Sequence, residues 1–212
     1  MDDEIVKLKK ETSLAREQAA AVADQLHAAR NKQIKPLEKK VNDLLTRVGM
    51  PNARLKIVLT STELGVNGND TTDFLFDANN TGQLLPLRKV ASGGELSRLM
   101  LCIKSLVAEK IDLPTMIFDE IDSGISGEAA RQVGLIMSEL AAMRQLICIT
   151  HQPQIAGRAN VHFYVYKEIV RDAVKTNIRQ LNREERITAI AKMLSGEKPT
   201  AAALENAREM LN

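Results

Sequence analysis

The chain has 212 residues, of which 29 are lysine or arginine and 27 are aspartate or glutamate, so its formal charge is +2. Apolar residues make up 44% and charged residues 26%, a composition that excludes the disordered, collagen-like and membrane-embedded classes. Only 3% of the residues are aromatic and the charge is nearly balanced. These two features argue against a pocket of stacked rings for single-stranded bases and against a stand-alone basic DNA-binding domain.

Two cysteines and the chain start indicate the compartment. Cys102 and Cys148 lie in apolar runs, where buried free thiols are expected, and this favours a reducing environment. The first residues are acidic where a secretory signal would be basic, and no apolar run approaches the roughly 18 residues of a membrane span. We therefore expect a cytoplasmic protein without a membrane partner.

The first 50 residues predict a helical arm. Small or apolar residues recur at positions 5, 8, 15, 19, 22, 26 and 29, a spacing typical of a long helix with a narrow seam. A second stretch in the same rhythm covers positions 34 to 48, and Pro36 at the join indicates a restarted helix or a kink. The seam predicts a coiled-coil partner helix that need not be in this chain. The alternative is an ordinary amphipathic helix lying on the following domain.

Residues 51–212 predict a single α/β domain. Alternating apolar residues at 55–59 and 74–76 predict two strands around a turn region at 65–70. Alternating helices and short apolar strands then predict a parallel sheet whose strands are buried on both faces. The predicted elements are helix 93–109, strand 115–118, helix 127–143, strand 145–150, a hairpin of 161–167 with 173–181, and helices 183–194 and 200–211, the last with Thr200 as N-cap.

The segment Ser92-Gly93-Gly94-Glu95, called the signature segment here, precedes a long apolar helix. A hydroxyl and open backbone N–H groups at a helix N-terminus favour an anion, so a phosphate would fit there. The alternative is a simple capping box, because Ser92 and Glu95 have the Ser-x-x-Glu spacing.

A strand that ends in Asp119-Glu120 carries the second candidate site. Ligands bind beyond the carboxyl ends of strands in α/β sheets. Asp119 there could hold Mg²⁺ while Glu120 orients or deprotonates an attacking water. The alternative is a solvated acidic pair that opens a loop.

His151 follows the next predicted strand, in Thr150-His151-Gln152-Pro153. If the two strands are neighbours, its imidazole would lie beside the acids and could contact a terminal phosphate. A lone histidine is more often structural, so that alternative stays open.

The order of these segments resembles the C-terminal half of an ABC-type ATPase head. The sequence is similar to that of the RecN family, which are SMC-like ATPases of bacterial DNA repair and recombination. The similarity lies in residues 90–98, 118–127 and 150–156 and in the terminal stretch 187–211. The resemblance implies a P-loop NTPase-like sheet with flanking helices, preceded by a coiled-coil helix. Ser123 and Gln152 stand where an apolar residue is expected, and neither has a proposed catalytic role.

The resemblance also implies roles for the site residues. ATP would join the heads of a homodimer, and hydrolysis would change how the larger assembly holds DNA in the nucleoid. The implied roles are Glu120 and His151 as catalytic residues on water and on the γ-phosphate, Asp119 as the Mg²⁺ ligand, Ser92, Gly93, Gly94 and Glu95 as the clamp on the opposite head's ATP, and Asp122 as a link across the dimer.

The sequence lacks the Gly-x-x-x-x-Gly-Lys-Ser/Thr phosphate loop. In the resembled family this loop lies at the start of the full chain, so we expect an N-terminal half of the same head as partner. We also expect this chain to be inactive alone. The alternatives are a fragment of an ABC transporter head and a non-enzymatic dimerisation module.

Overall fold

The computed structural model describes residues 2–90, 93–108, 113–170 and 173–211. The chain divides into two compact units, one made of residues 1–46 and 50–91 and the other of residues 47–49 and 92–212. Within the described ranges, each helix is too short or too polar to cross a membrane.

The arm is one continuous helix, α1 (Asp2–Arg47), with Pro36 inside it. The predicted restart at Pro36 is therefore wrong. The helix continues although Pro36 has no backbone N–H to donate to the preceding turn. Apolar seam residues in the first half of α1 are exposed: Ile5 by 46%, Leu8 by 57% and Val22 by 63%. Farther along, Val41 and Leu45 are fully buried. The early seam thus stays open within this chain.

Three antiparallel strands follow α1 in the first unit: β1 (Arg54–Gly65), β2 (Gly68–Asp77) and β3 (Leu85–Pro86), in the order β1-β2-β3. The first two contain the predicted strands but extend them to a two-residue turn, and Gly68 after that turn has φ +108°, which favours glycine. Leu55 pairs with Phe76 and both are buried. The short β3 and the 3₁₀ turn Leu87–Lys89 after it were not predicted.

Polar side chains of α1 hold this sheet at two places. Glu38 accepts the Ile57 N–H at 2.8 Å, and Asn42 accepts the Leu55 N–H at 2.8 Å, so both satisfy backbone groups of β1. Near the β1–β2 turn, the Asp70 carboxylate lies 2.5 Å from Arg30 Nη1 and 3.0 Å from His27 Nδ1. The Asp70 side chain is only 1% exposed, so the contacts of its carboxylate are well shielded from water.

The second unit begins with the predicted α/β pattern. Its first elements are α2 (Gly93–Val107), β4 (Thr115–Phe118), α3 (Gly127–Ala141), β5 (Gln145–Cys148) and the unpredicted α4 (Pro153–Ala156). The strands β4 and β5 pair in parallel, from Thr115 opposite Gln145 to Phe118 opposite Cys148. The predicted end of the first helix at Glu109 lies outside the described residues.

Only one face of the β4–β5 pair is buried. Met116 and Phe118 are each 3% exposed, whereas Ile117 is 61%, Ile147 45% and Ile149 59% exposed. The prediction of burial on both faces is therefore wrong for this chain. Cys102 is buried as expected, but Cys148 is only partly buried. Burial raises the pKa of both thiols to about 12, so both stay protonated at neutral pH.

The chain ends in a hairpin and two helices, as predicted: β6 (Phe163–Val170), β7 (Ala173–Gln180), α5 (Arg183–Ser195) and α6 (Ala201–Met210). Thr200 caps α6 by accepting the Ala203 N–H, and Asn182 forms a capping box with Glu185 at α5. A small cluster of Ile187, Ile190, Ala191, Ala203 and Ala207 joins the two helices.

The Asp70 contacts give a prediction about stability. Asp70→Ala removes a buried carboxylate that bonds two side chains of α1, so the free energy of unfolding should fall by about 2 kcal/mol. Urea denaturation at pH 7 measures this fall. Asp73→Ala, an exposed position on the same strand, is the control and should change stability by less than about 0.5 kcal/mol. Equal losses in the two variants would contradict the assignment.

Candidate active site

The parallel pairing of β4 with β5 brings the predicted metal-binding and catalytic residues to the carboxyl edge of this strand pair. Asp119 and Glu120 directly follow β4, and His151 follows β5 by three residues. The Ile149 N–H donates to Phe118 O at 3.0 Å, so the pairing continues one step beyond β5. The condition set for His151, that the two strands are neighbours, is therefore confirmed.

The segment 119–124, called the acidic loop here, starts with an unusual backbone turn. Glu120 has φ +55°, a left-handed conformation that a residue other than glycine seldom adopts. Its N–H donates to Asp119 Oδ1 at 2.9 Å, and its carbonyl accepts the Ser123 N–H at 3.1 Å. Both acidic residues are exposed. Such strain is maintained where the surroundings fix the chain, and it is common at functional sites.

The two glycines of the signature segment lie against the acidic loop. A Cβ placed on Gly93 would be 2.5 Å from Glu120 Oε2, and one on Gly94 would be 3.0 Å from Ser123 O. A Cβ on Gly93 would displace the Glu120 carboxylate, and one on Gly94 would displace Ser123 of the loop. The structure thus brings Gly93 to the predicted catalytic acid Glu120 and Gly94 to Ser123 of the same loop. Glu95 is half-buried in the first turn of α2. Ser92, and with it the choice between a phosphate contact and a capping box, lies outside the described residues.

Asp122 connects the acidic loop to His151. Its carboxylate is 4% exposed, and Oδ2 accepts the Thr150 hydroxyl at 2.6 Å and the His151 N–H at 2.8 Å. The same oxygen lies 3.1 Å from His151 Nδ1. Burial is the largest influence on the pKa of Asp122 and would raise it, but these hydrogen bonds and the nearby imidazole lower that pKa below its ordinary 3.8.

This contact sets the orientation of the imidazole. Because an ionised carboxylate only accepts hydrogen bonds, the 3.1 Å approach of Asp122 Oδ2 favours the tautomer with the proton on His151 Nδ1. The His151 side chain is 75% exposed, which leaves the ring accessible to a ligand. The second ring nitrogen, Nε2, is then the atom that can meet a phosphate.

Sequence reasoning missed two hydroxyls that support this arrangement. Thr150 donates to Asp122 and also accepts the Gln152 N–H at 3.0 Å, and Ser97 Oγ donates to Asp119 O at 3.0 Å. Gln152, which departs from the expected apolar type, donates to Ile125 O at 2.9 Å. A hydroxyl just before a histidine at a strand end was a visible signal for Thr150, but Ser97 gave none.

The donor set near Asp119 is compatible with Mg²⁺. Among the described residues, no three histidine, cysteine or acidic side chains converge into a cluster that would hold a metal. Mg²⁺ bound with a nucleotide needs only one or two carboxylates beside the phosphates and water. The exposed Asp119 carboxylate at the end of β4 meets that requirement.

Comparison with known proteins confirms the predicted resemblance. No family model matches the chain. The chain is 41% identical to the DNA repair protein RecN of Rickettsia typhi over 97% of its own length and 36% identical to that of Vibrio cholerae over 99%. With RecN of Deinococcus radiodurans it shares 40% identity over 90% of its length. It spans 37%, 38% and 33% of these relatives, so it corresponds to a part of them.

The fold comparison agrees with the predicted class. An SMC head domain with coiled coil and joint, from Pyrococcus yayanosii, matches 93% of this chain and 36% of that one, with a TM-score of 0.62 and 18% identity. At this identity the match reports the fold alone. The chain therefore has the fold of part of an SMC head domain with a coiled-coil helix, and the predicted fold class is confirmed.

The Asp122 contacts give a pH-dependent prediction. Because the pKa of Asp122 is lowered in the folded state, the stability it contributes is present above pH 3.8 and is lost as the pH falls through the lower, folded value. Asp122→Asn should cost about 2 kcal/mol at pH 7. The difference from the unsubstituted chain should shrink below about pH 4.

Urea denaturation between pH 3 and 7 measures this difference. Asp43→Asn serves as the control, because its carboxylate is 64% exposed on α1. That variant should match the unsubstituted chain within about 0.5 kcal/mol at each pH. A cost for Asp122→Asn that stays constant over the whole range would contradict the proposed ionised contact.

Proposed function

We propose that this chain is the C-terminal portion of a RecN-type, SMC-like ATPase that acts in DNA double-strand break repair and recombination. Residues 1–50 are the C-terminal strand of its coiled-coil arm, and residues 51–212 are the second half of its head. The observation that carries the proposal is the meeting of Glu120, Asp122 and His151 at the carboxyl edge of β4–β5. The similarity to RecN over nearly the whole chain supports it.

In the proposed mechanism, Mg²⁺ bound with ATP supplies charge neutralisation for the phosphates. Asp119 holds the ion, and Glu120 takes a proton from the attacking water. Glu120 has a left-handed backbone, and Gly93 leaves room for its carboxylate, which would act on that water. His151 offers Nε2 to the γ-phosphate while Asp122 holds the other side of the ring.

The signature segment acts on the ATP of the opposite head. Ser92, by the family resemblance, would bind this ATP together with Gly93 and Gly94. The two glycines begin α2, where the helix dipole favours the terminal phosphate. Glu95 belongs to the same turn. ATP would therefore hold two heads together, and Asp122 would transmit the state of one site to the other. Hydrolysis would release the heads.

An N-terminal half of the same head completes each site. It supplies the phosphate loop that this sequence lacks. The chain spans about 37% of its RecN relative from Rickettsia typhi, which leaves ample length for such a half. The exposed Ile117, Ile147 and Ile149 form an apolar face on β4–β5 that this half would cover. The open seam of α1 would accept the other arm strand. Without these parts, the chain alone would not hydrolyse ATP.

DNA contact belongs to the full assembly, which would work in the cytoplasm on the nucleoid. The comparisons with DNA repair proteins and an SMC head do not favour the transporter alternative. A purely non-enzymatic module is disfavoured by the strained Glu120 and the oriented His151, because dimerisation alone requires neither feature.

Glu120→Gln in the intact protein tests the proposal. The amide keeps the size of the side chain but accepts a proton poorly, so ATP should still bind while turnover falls by at least about 100-fold. Nucleotide binding and steady-state hydrolysis measure the two effects. Glu139→Gln, an exposed position on α3, is the control and should hydrolyse ATP normally. Hydrolysis unchanged by Glu120→Gln would remove Glu120 from its role.

A further inference from the structure

Arg98 lies on α2, one turn beyond the glycines of the signature segment, and is buried with 5% exposure. Its Nη1 donates to Ser123 O at 2.5 Å and to Ile121 O at 3.4 Å. These two carbonyls flank Asp122. The guanidinium therefore holds the backbone of the acidic loop on both sides of the residue that orients His151.

Burial of the Arg98 guanidinium at this position costs free energy. A buried guanidinium loses hydration, and its Nε has no hydrogen-bond partner among the residues that the structure describes. Burial accordingly lowers the pKa of Arg98, against the influence of the nearby Glu95. An apolar side chain of similar length would fill the space at lower cost. A local cost of this kind often accompanies a functional role.

The neighbouring contacts also join the start of α2 to the acidic loop. Ser97 donates to Asp119 O, Gly94 packs on Ser123, and Gly93 packs on Glu120. The first turns of α2 and the acidic loop are thus joined at several points along the loop. Arg98 is the charged member of this set, and it alone donates to two carbonyls from one nitrogen.

We propose that Arg98 is a positioning residue that ties the signature end of α2 to the acidic loop. This proposal rests on the proposed function. In a head dimer, the glycine end of α2 would meet the partner's ATP, whereas the acidic loop would serve the ATP of its own head. A rigid link between them makes the engagement of one site set the geometry of Glu120 and His151 in the other.

The test uses the intact protein with Arg98→Met, which keeps the length of the side chain and removes its donors. We expect kcat to fall about tenfold, as when one hydrogen bond to a charged group is lost, while KM for ATP stays within about twofold. Arg98→Lys keeps a charged donor, so its kcat should be at least threefold higher than that of Arg98→Met. Rates are normalised to the folded fraction from thermal unfolding.

Arg186→Met is a matched control. Arg186 also donates to two carbonyls, those of Ala159 and Asn160, and its Nε likewise has no partner within the described ranges. It lies on α5 and holds a different loop. Its loss should lower stability without a change in kcat. A purely structural role of Arg98 would make the two methionine variants alike.

A fall in kcat of less than threefold in Arg98→Met would overturn the proposal, as would a failure of Arg98→Lys to recover any of it. If Arg98→Met does not fold, Ser97→Ala decides, because it removes the milder contact to Asp119 O. It should lower kcat two- to fivefold at constant KM, and an unchanged kcat would overturn the link. Activity retained in Glu120→Gln would instead reject the proposed function.

Discussion

The parallel pairing of β4 with β5 is the constraint on which the candidate site depends. It ends with Phe118 opposite Cys148 and continues through the Ile149 N–H to Phe118 O, so both strands deliver their next residues to one edge. Asp122 then completes the arrangement by accepting from the backbone and hydroxyl of the turn that carries His151. Without that register, the acids and the imidazole would be unrelated surface groups.

The acidic loop acts as the centre of this arrangement because contacts reach it from both sides. The start of α2 lies against it through Gly93 and Gly94, where a Cβ would collide with Glu120 or Ser123. The turn at His151 holds it from the other side through Asp122. Glu120 keeps a left-handed backbone between these supports. In the proposed mechanism, preorganisation of this kind would let the Glu120 carboxylate act on water without rearranging first.

Much of the fold could be predicted because its signals are periodic or local. The apolar runs at 115–118 and 145–150 predicted two strands of a parallel sheet. The sequence placed His151 beside the acids only on the condition that these strands are neighbours, and their pairing meets that condition. Ile117 and Ile147 were expected to be buried, because continuous apolar runs are typical of strands covered on both faces, but both side chains are exposed. Pro36 indicated a restarted helix or a kink, but α1 runs through it as one helix. Arg98 and Ser97 could not be found, since side chains that bond backbone carbonyls leave no pattern in the sequence.

In the proposed function, this chain supplies the acids and the histidine of an ATPase whose phosphate loop lies on another segment. The most direct measurement is Mg-ATP hydrolysis by the purified chain alone, by a purified N-terminal half that contains the loop, and by their mixture. Turnover is expected only in the mixture, and it should be lost when the chain carries Glu120→Gln. Turnover by this chain alone, or equal turnover in the mixture with Glu120→Gln, would contradict the proposed function.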